Sequence, residues 1–413
     1  MKCATCGQEM TEIANFCAKC GAKLRGPESV SPNLEAITDP SVVTGGATEV
    51  TRDTAWPEIV VVAFAVMAAA AVKIPVLFGY YLDDGVLDSS FYARNTSFFV
   101  LPFLTGYFAW KRRFRWKGCF WLGLPFVVAA VVANAFPFIP GGSTEILTAL
   151  HLPIALWLVV GIAYTGGHWS DGDRRMDFVR FSGEVFICYT LIALGGGVFV
   201  AFTVFMFDAI SLDVEWFVQG WVLPCGATGA VIVAAGLVEA QEGATANMAP
   251  VLTRLFTPLF AVVLLVFLAT MVWTSGSIDV EREVLIGFDL LLVLVLGLLL
   301  YAVSARDPKA PPNAFDVLQL SLVIAALVVD LVALAAITAR ISEFGFSPNK
   351  VAALGENLVL LVNLSWSAWI YTHFLRRRGS FAALECWQTR YLPVYSVWAG
   401  LVVVTFPPLF GFV

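Results

Sequence analysis

Residues 317–341 read VLQLSLVIAALVVDLVALAAITARI, an almost unbroken apolar run with a single carboxylate, Asp330, near its middle. At 1.5 Å rise per residue, about 20 apolar residues make a helix that crosses the hydrocarbon layer, and this run meets that length. It lacks the ten-residue alternation of a barrel strand, so it predicts a transmembrane helix.

Comparable runs recur along the chain. We read about eleven, at 57–82, 91–110, 119–139, 146–166, 181–207, 217–238, 257–274, 284–305, 317–341, 351–375 and 392–413. The composition agrees: 59% of the 413 residues are hydrophobic and 14% are charged, with a mean hydropathy of +0.81. The expected fold class is therefore all-α, a polytopic transmembrane helical bundle over residues 56–413, with the lipid bilayer as its first partner. The stretch 247–256 reads as a short segment in the membrane interface. A formal net charge of −6, with no basic patch interleaved with aromatics, argues against nucleic acid as a partner.

The amino terminus is different. MKCATCGQEMTEIANFCAKCGAKL, residues 1–24, sets Cys3 and Cys6 against Cys17 and Cys20 as two Cys-x2-Cys knuckles. Four thiolates so spaced can converge on one tetrahedral Zn²⁺, and Gly7 and Gly21 follow each pair where a tight turn needs a residue tolerant of positive φ. The stretch Asn15 to Leu24 resembles the second half of the short zinc ribbons that head many bacterial membrane proteins. A redox or iron site is the alternative for such thiolates, but a closed structural zinc is the usual use of so small a cytosolic set. A segment this short cannot build a hydrophobic core, so zinc is expected to supply its folding energy and a protein partner to be what it contacts. Residues 25–55 are rich in Pro, Gly, Ser, Thr and acids without helical period, and read as a flexible linker with an r.m.s. reach of roughly 30 Å. Cys119, Cys188, Cys225 and Cys386 lie singly in or beside apolar runs and read as packing residues.

The loops set an expected orientation. Lys111, Arg112, Arg113, Arg115, Lys117, Arg174, Arg175, Arg180, Arg254, Arg306, Lys309, Arg376, Arg377, Arg378 and Arg390 fall on the ribbon's side, whereas the opposite side holds Arg282 and Lys350, with Arg94 and Arg340 at helix edges. Positive residues are retained in the cytosol, and no apolar signal region precedes the ribbon, so the amino terminus is expected inside and the carboxyl terminus outside.

Ionisable side chains inside such runs cost a few kcal/mol each at a helix centre. Lys73, Asp289, Asp330, Glu184 and Glu356 stand inside them. Helical rise places Asp330 about 16 Å and Lys73 about 14 Å below the outer ends of their spans, with Asp289 and Glu356 about 8 Å in and Arg340 at the rim. Two readings stay open. Lys73 could pair with Asp330 or Asp289, and Arg340 with Glu356, fixing helix register. Alternatively these residues line an outward-opening polar cavity in which Asp330 binds a proton or cation. His151, His168 and His373 are separated by helix ends and loops, and no HExxH, GxSxG or GxxxxGKT occurs, so nothing in the chain supports an enzyme.

The turn Arg340-Ile-Ser-Glu-Phe-Gly-Phe-Ser-Pro-Asn-Lys350-Val351, together with Tyr391-Leu-Pro-Val-Tyr-Ser-Val-Trp398, resembles a family of polytopic inner-membrane proteins, the domain of unknown function numbered four-one-five-three. Phe344 and Lys350 stand where that family's turn has Tyr and Arg. The resemblance implies a multi-pass protein of a bacterial inner membrane and carries no reaction or substrate. Two functions follow as expectations: a carrier or channel-like protein with an outward polar cavity, or a scaffold or sensor that recruits a partner through its ribbon. For the ribbon, metal analysis of the purified full chain is expected to give one zinc per chain, and the Cys17→Ser/Cys20→Ser variant should lose it. An unchanged zinc content in that variant would refute the four-thiolate reading.

Overall fold

A computed structural model describes residues 55–80, 86–208, 214–240, 257–258, 261–262, 265 and 282–413. The ribbon with its four cysteines, the linker, the stretch 247–256 and nearly all of 257–274 lie outside the described residues. Within them the chain is helical: α1 (Ala55–Ala71), α2 (Val86–Lys111), α3 (Trp116–Ala135), α4 (Ser143–Tyr164), α5 (Gly172–Asp208), α6 (Leu223–Ala240), α7 (Arg282–Ala305), α8 (Ala314–Phe344), α9 (Pro348–Leu375) and α10 (Ala382–Leu409). Helices satisfy every backbone group internally, as a medium without water demands.

Among the described residues, nine helices are long and apolar enough to cross a membrane. The stretch expected at 91–110 is helical but is not one of the nine: its apolar run is broken by Arg94, Asn95, Thr96 and Ser97. The first span also departs from expectation. We read 57–82 as one helix, but α1 stops at Ala71 and the chain continues as a 3₁₀ helix, Ile74–Phe78, with Pro75 in its first turn. Proline has no N–H to give and its ring crowds the preceding turn, so the α-helical ladder ends there. A π-helical turn, Val218–Val222, leads into α6.

Two large hydrophobic cores form among the described residues, beside two small clusters. One is built mainly by α7, α8, α9 and α10 and includes Leu292, Leu299, Leu322, Ala326, Leu364 and Leu384. The other is built mainly by α1 to α6 and includes Leu104, Phe108, Val160, Phe181 and Ile232. They meet along a seam where α4 lies antiparallel to α10, with the Ser396 hydroxyl donating to the Ile154 carbonyl at 3.4 Å.

Basic side chains gather at one end of the bundle and answer exposed helix carbonyls there. Arg112 Nε donates to the Tyr164 carbonyl at 2.9 Å, Arg174 to that of Thr165 at 3.1 Å, and Arg180 Nε to that of Ser304 at 3.1 Å. Cations at the carboxyl ends of α4 and α7 complement both the orphan carbonyls and the helix dipoles. At the same end Asn313 caps α8 by accepting from Phe315 N and Asp316 N, while Asp316 accepts from Asn313 N at 2.8 Å. Arg306 then grips both oxygens of fully buried Asp316, at 2.8 and 2.9 Å, and lies over the rings of Phe374 and Phe381 at 4.7 and 4.4 Å. One guanidinium thus ties the ends of α7, α8, α9 and α10.

At the opposite end the α8–α9 turn uses the residues the sequence pointed to. Gly345 sits at φ 72°, in the left-handed region that glycine enters freely, and Pro348 opens α9. Lys350 Nζ donates to the Gly345 carbonyl at 2.9 Å and stands 5.5 Å from the Phe344 ring.

Removing one partner of a buried ion pair leaves the other uncompensated, at a cost of about 3–5 kcal/mol. Asp316→Ala is therefore expected to lower the midpoint of thermal unfolding in detergent far more than Asp307→Ala, its exposed neighbour. Equal midpoints would show that the Arg306 junction contributes little.

Candidate functional site

The seam between the two cores holds a cavity of 510 Å³. Its walls come from α4 (His151, Ile154, Trp157), α7 (Asp289, Val293, Leu296), α9 (Glu356, Val359, Leu360) and α10 (Leu392, Tyr395, Ser396, Trp398), with Trp169 and Phe178 from the α4–α5 region. Most of this lining is aliphatic or aromatic. A few polar groups converge on it, the usual make-up of a small-molecule site.

The carboxylates find partners that depth arithmetic did not name. Glu356 Oε1 lies 2.5 Å from His151 Nε2, so the contact joins α9 to α4 across the seam. His151 Nδ1 is 2.8 Å from the Leu147 carbonyl. A carbonyl only accepts, so Nδ1 carries a proton and one further proton lies between Nε2 and Glu356. The pair is thus either imidazolium with carboxylate or imidazole with carboxylic acid, and its net charge is zero both ways.

Asp289 Oδ1 accepts from Asn357 Nδ2 at 2.8 Å, and the same amide nitrogen donates to the Ala353 carbonyl. Asp330 is not among the residues that line the cavity. It is fully buried, and neither of its carboxylate oxygens has a hydrogen-bond partner among the described residues. Asn357 Oδ1 is likewise unpaired there. Among the described residues no group of three or more His, Cys, Asp or Glu converges as metal ligands would.

The pairings weighed from sequence are not the ones made. Lys73 caps the 3₁₀ helix and points its ammonium over the Trp221 ring at 4.7 Å, a cation–π contact, and it does not line the cavity. Arg340 stands in the last turns of α8, where its carbonyl accepts from Lys350 Nζ at 3.4 Å, and Glu356 belongs to His151. Of the five candidates the structure gathers Asp289 and Glu356 at the cavity and leaves Asp330, Lys73 and Arg340 off its lining. His151, Tyr395 and Trp398 were missed as site residues. His151 was discoverable, since it lies eight residues into α4, as Glu356 does into α9, and both helices start at the same end.

The match to known proteins is confined to the amino terminus. Residues 2–24 match the zinc-ribbon domain family. No curated protein and no solved structure matches the chain. What stands is a helical, membrane-type protein with an amino-terminal zinc ribbon.

One glycine positions the cavity's indole. A Cβ on Gly355 would lie 2.0 Å from two atoms of the Trp398 ring, so α9 and α10 approach this closely only because the side chain is absent. Gly355→Ala must displace Trp398 or part the helices, and overpacking of this kind costs about 1–3 kcal/mol. A lowered thermal midpoint with altered tryptophan emission is expected, while Gly400→Ala, where nothing stands within 4 Å, should leave both near wild type. Similar effects from the two would remove Gly355 from this role.

Proposed function

We propose that the helical part is a proton-coupled carrier whose solute site is the seam cavity and whose proton site is Asp330 with Asp289 and the His151–Glu356 pair. The observation that supports it most is Asp330 itself. A fully buried carboxylate whose two oxygens go unanswered among the described residues is costly as a charge in hydrocarbon, whereas a proton on it removes that cost. The position at a seam between two sets of helices, each with a large core of its own, also suits a carrier, because rocking one set against the other, with repacking of the small Leu147, Ala352, Val402 and Phe406 cluster that bridges them, would change which face the cavity meets. No residue is assigned a catalytic role.

The ribbon forms the second part of the proposal. Cys3, Cys6, Cys17 and Cys20 hold one zinc, and the folded knuckles recruit a protein partner to the membrane face within reach of the 25–55 linker. Membership of the four-one-five-three family, a bacterial inner membrane, a cytosolic amino terminus and an extracytoplasmic carboxyl terminus complete it. The turn at 340–351 and the basic end of the bundle support these assignments.

Infrared spectra of the full chain in lipid are expected to contain a protonated-carboxylic-acid band that Asp330→Asn removes while the amide bands stay unchanged. A spectrum without that band, or one indifferent to the substitution, would sink the proton site. A thiol introduced by Ala36→Cys should resist an impermeant reagent on intact cells and react after lysis. Labelling on intact cells would invert the orientation.

A further inference from the structure

The carboxylates of the seam cavity sit toward one end of it. Asp289 and Glu356 each lie about two turns into α7 and α9, as His151 does into α4, and the three helices start at the same end of the bundle. From that level the lining runs toward the other end through Val293 and Leu296 of α7 and Trp157 of α4. Helical rise makes Asp289 to Leu296 about 10 Å. Phe178 and Trp169 continue the wall, with the Phe178 ring centroid 5.9 Å from that of Trp157 and 6.1 Å from that of Trp169. The space is thus acidic at one end and hydrocarbon or aromatic along its length.

Each carboxylate has one oxygen engaged. Asp289 Oδ1 accepts from Asn357, and Glu356 Oε1 meets His151 Nε2. Asp289 Oδ2 and Glu356 Oε2 have no hydrogen-bond partner among the described residues, and both keep accessible surface on side chains that line the cavity. The Glu356 side chain is 34% exposed. The His151–Glu356 pair is neutral as a whole and Asn357 is a neutral amide, so an ionised Asp289 has no counter-charge bonded to it. Among the described residues no Lys or Arg lines the cavity. The open oxygens call for donors, the charge calls for a cation, and aromatic faces attract cations as well.

We infer that the cavity takes an organic monocation, a protonated amine whose N–H groups donate to Asp289 and Glu356 and whose apolar body lies along Val293, Leu296 and Trp157. This rests on the carrier reading of the same cavity and names its substrate class. The 510 Å³ volume lies within the roughly 300–1,000 Å³ of small-molecule sites. In hydrocarbon an ammonium answers the Asp289 charge as a proton would, so the loaded site and the protonated site are both neutral. A bilayer lipid with an ammonium headgroup also brings a phosphate, for which the lining holds no cation, so the ligand is an amine without one.

The probe is para-aminomethylbenzophenone, an amine protonated at neutral pH whose ketone inserts into nearby C–H bonds on irradiation; para-methylbenzophenone is its uncharged control. With the full chain in phosphatidylcholine nanodiscs, the amine is expected to label peptides containing Val293 to Leu296 and Trp157. At equal membrane concentration dibenzylamine should displace it about tenfold better than diphenylpropane, the hydrocarbon with CH₂ in place of NH₂⁺, as expected for charge-assisted hydrogen bonds. Asp289→Asn leaves the Asn357 amide an oxygen to donate to, and should abolish that advantage while labelling by the uncharged control persists. Equal displacement by amine and hydrocarbon in the wild type would overturn the inference whatever becomes of the variant. So would an advantage that survives Asp289→Asn, stronger displacement by the anion diphenylacetate, labelling confined to other peptides, or displacement by phosphatidylethanolamine added to the nanodisc. The Asp330 infrared band is read independently: its absence beside an intact amine preference sinks the proton site and leaves the ligand class standing, and the reverse result does the opposite.

Discussion

A hydrocarbon layer offers no hydrogen bonds, and this constraint orders the molecule from backbone to side chain. Ten described helices close their own ladders, and where those ladders end, arginines supply what solvent cannot reach. Inside the bundle the same demand produces closed polar sets. Asn363, Ser367 and Gln388 bond to one another between α9 and α10, with Gln388 Nε2 donating to Ser367 Oγ at 2.7 Å and the Trp387 indole donating to the Asn363 carbonyl. Asn95 and Asn134 exchange amide bonds at 3.0 and 2.8 Å, joining α2 to α3. A neutral amide pair of this kind satisfies itself without a buried charge, which explains how α2 holds its place beside apolar neighbours despite a broken apolar run.

Against that background the groups left unanswered stand out. Arg94 and Glu145 pair at 3.2 Å, and Glu145 also accepts from Gly141 N, so this charged pair at the polar end is held on both sides. Asp330 is the opposite case, buried as deeply as any core leucine and paired with nothing described. Buried dipoles such as the Tyr301 hydroxyl and the Gln319 amide oxygen also lack a partner among the described residues, but a carboxylate is far costlier to leave unmatched than a dipole, and that difference makes Asp330 informative.

Length and hydropathy made the helices legible, because a span through lipid must be long and apolar whatever it packs against. Gly345, Pro348 and Lys350 were legible for a similar reason: a reversal between two helices is a local event settled by residues within one turn. The site was legible only in part. Asp289, Asp330 and Glu356 betrayed themselves as charges in apolar runs, but their partners depend on which helices lie side by side. Lys73 shares a depth with Asp330 yet faces Trp221, because depth in a membrane fixes one coordinate and the order of helices around the bundle fixes the others. His151 was set aside because a lone histidine in an apolar run, outside any motif, carries no local mark of function. Tyr395 and Trp398 entered only through the resemblance at 391–398, since nothing local in a sequence marks an aromatic side chain as part of a cavity wall.

The His151–Glu356 contact places a limit on how the seam can move. It joins α4 of one core to α9 of the other, and each partner would be costly to leave unmatched in hydrocarbon. A rearrangement that parts the cores must therefore give both groups new partners in the same step. The proton between them offers the means. If it goes to Glu356, a neutral acid and a neutral imidazole remain; if it stays on the ring, the released carboxylate must find a donor. Opening of the seam and the position of that proton would then be linked through this contact between α4 and α9.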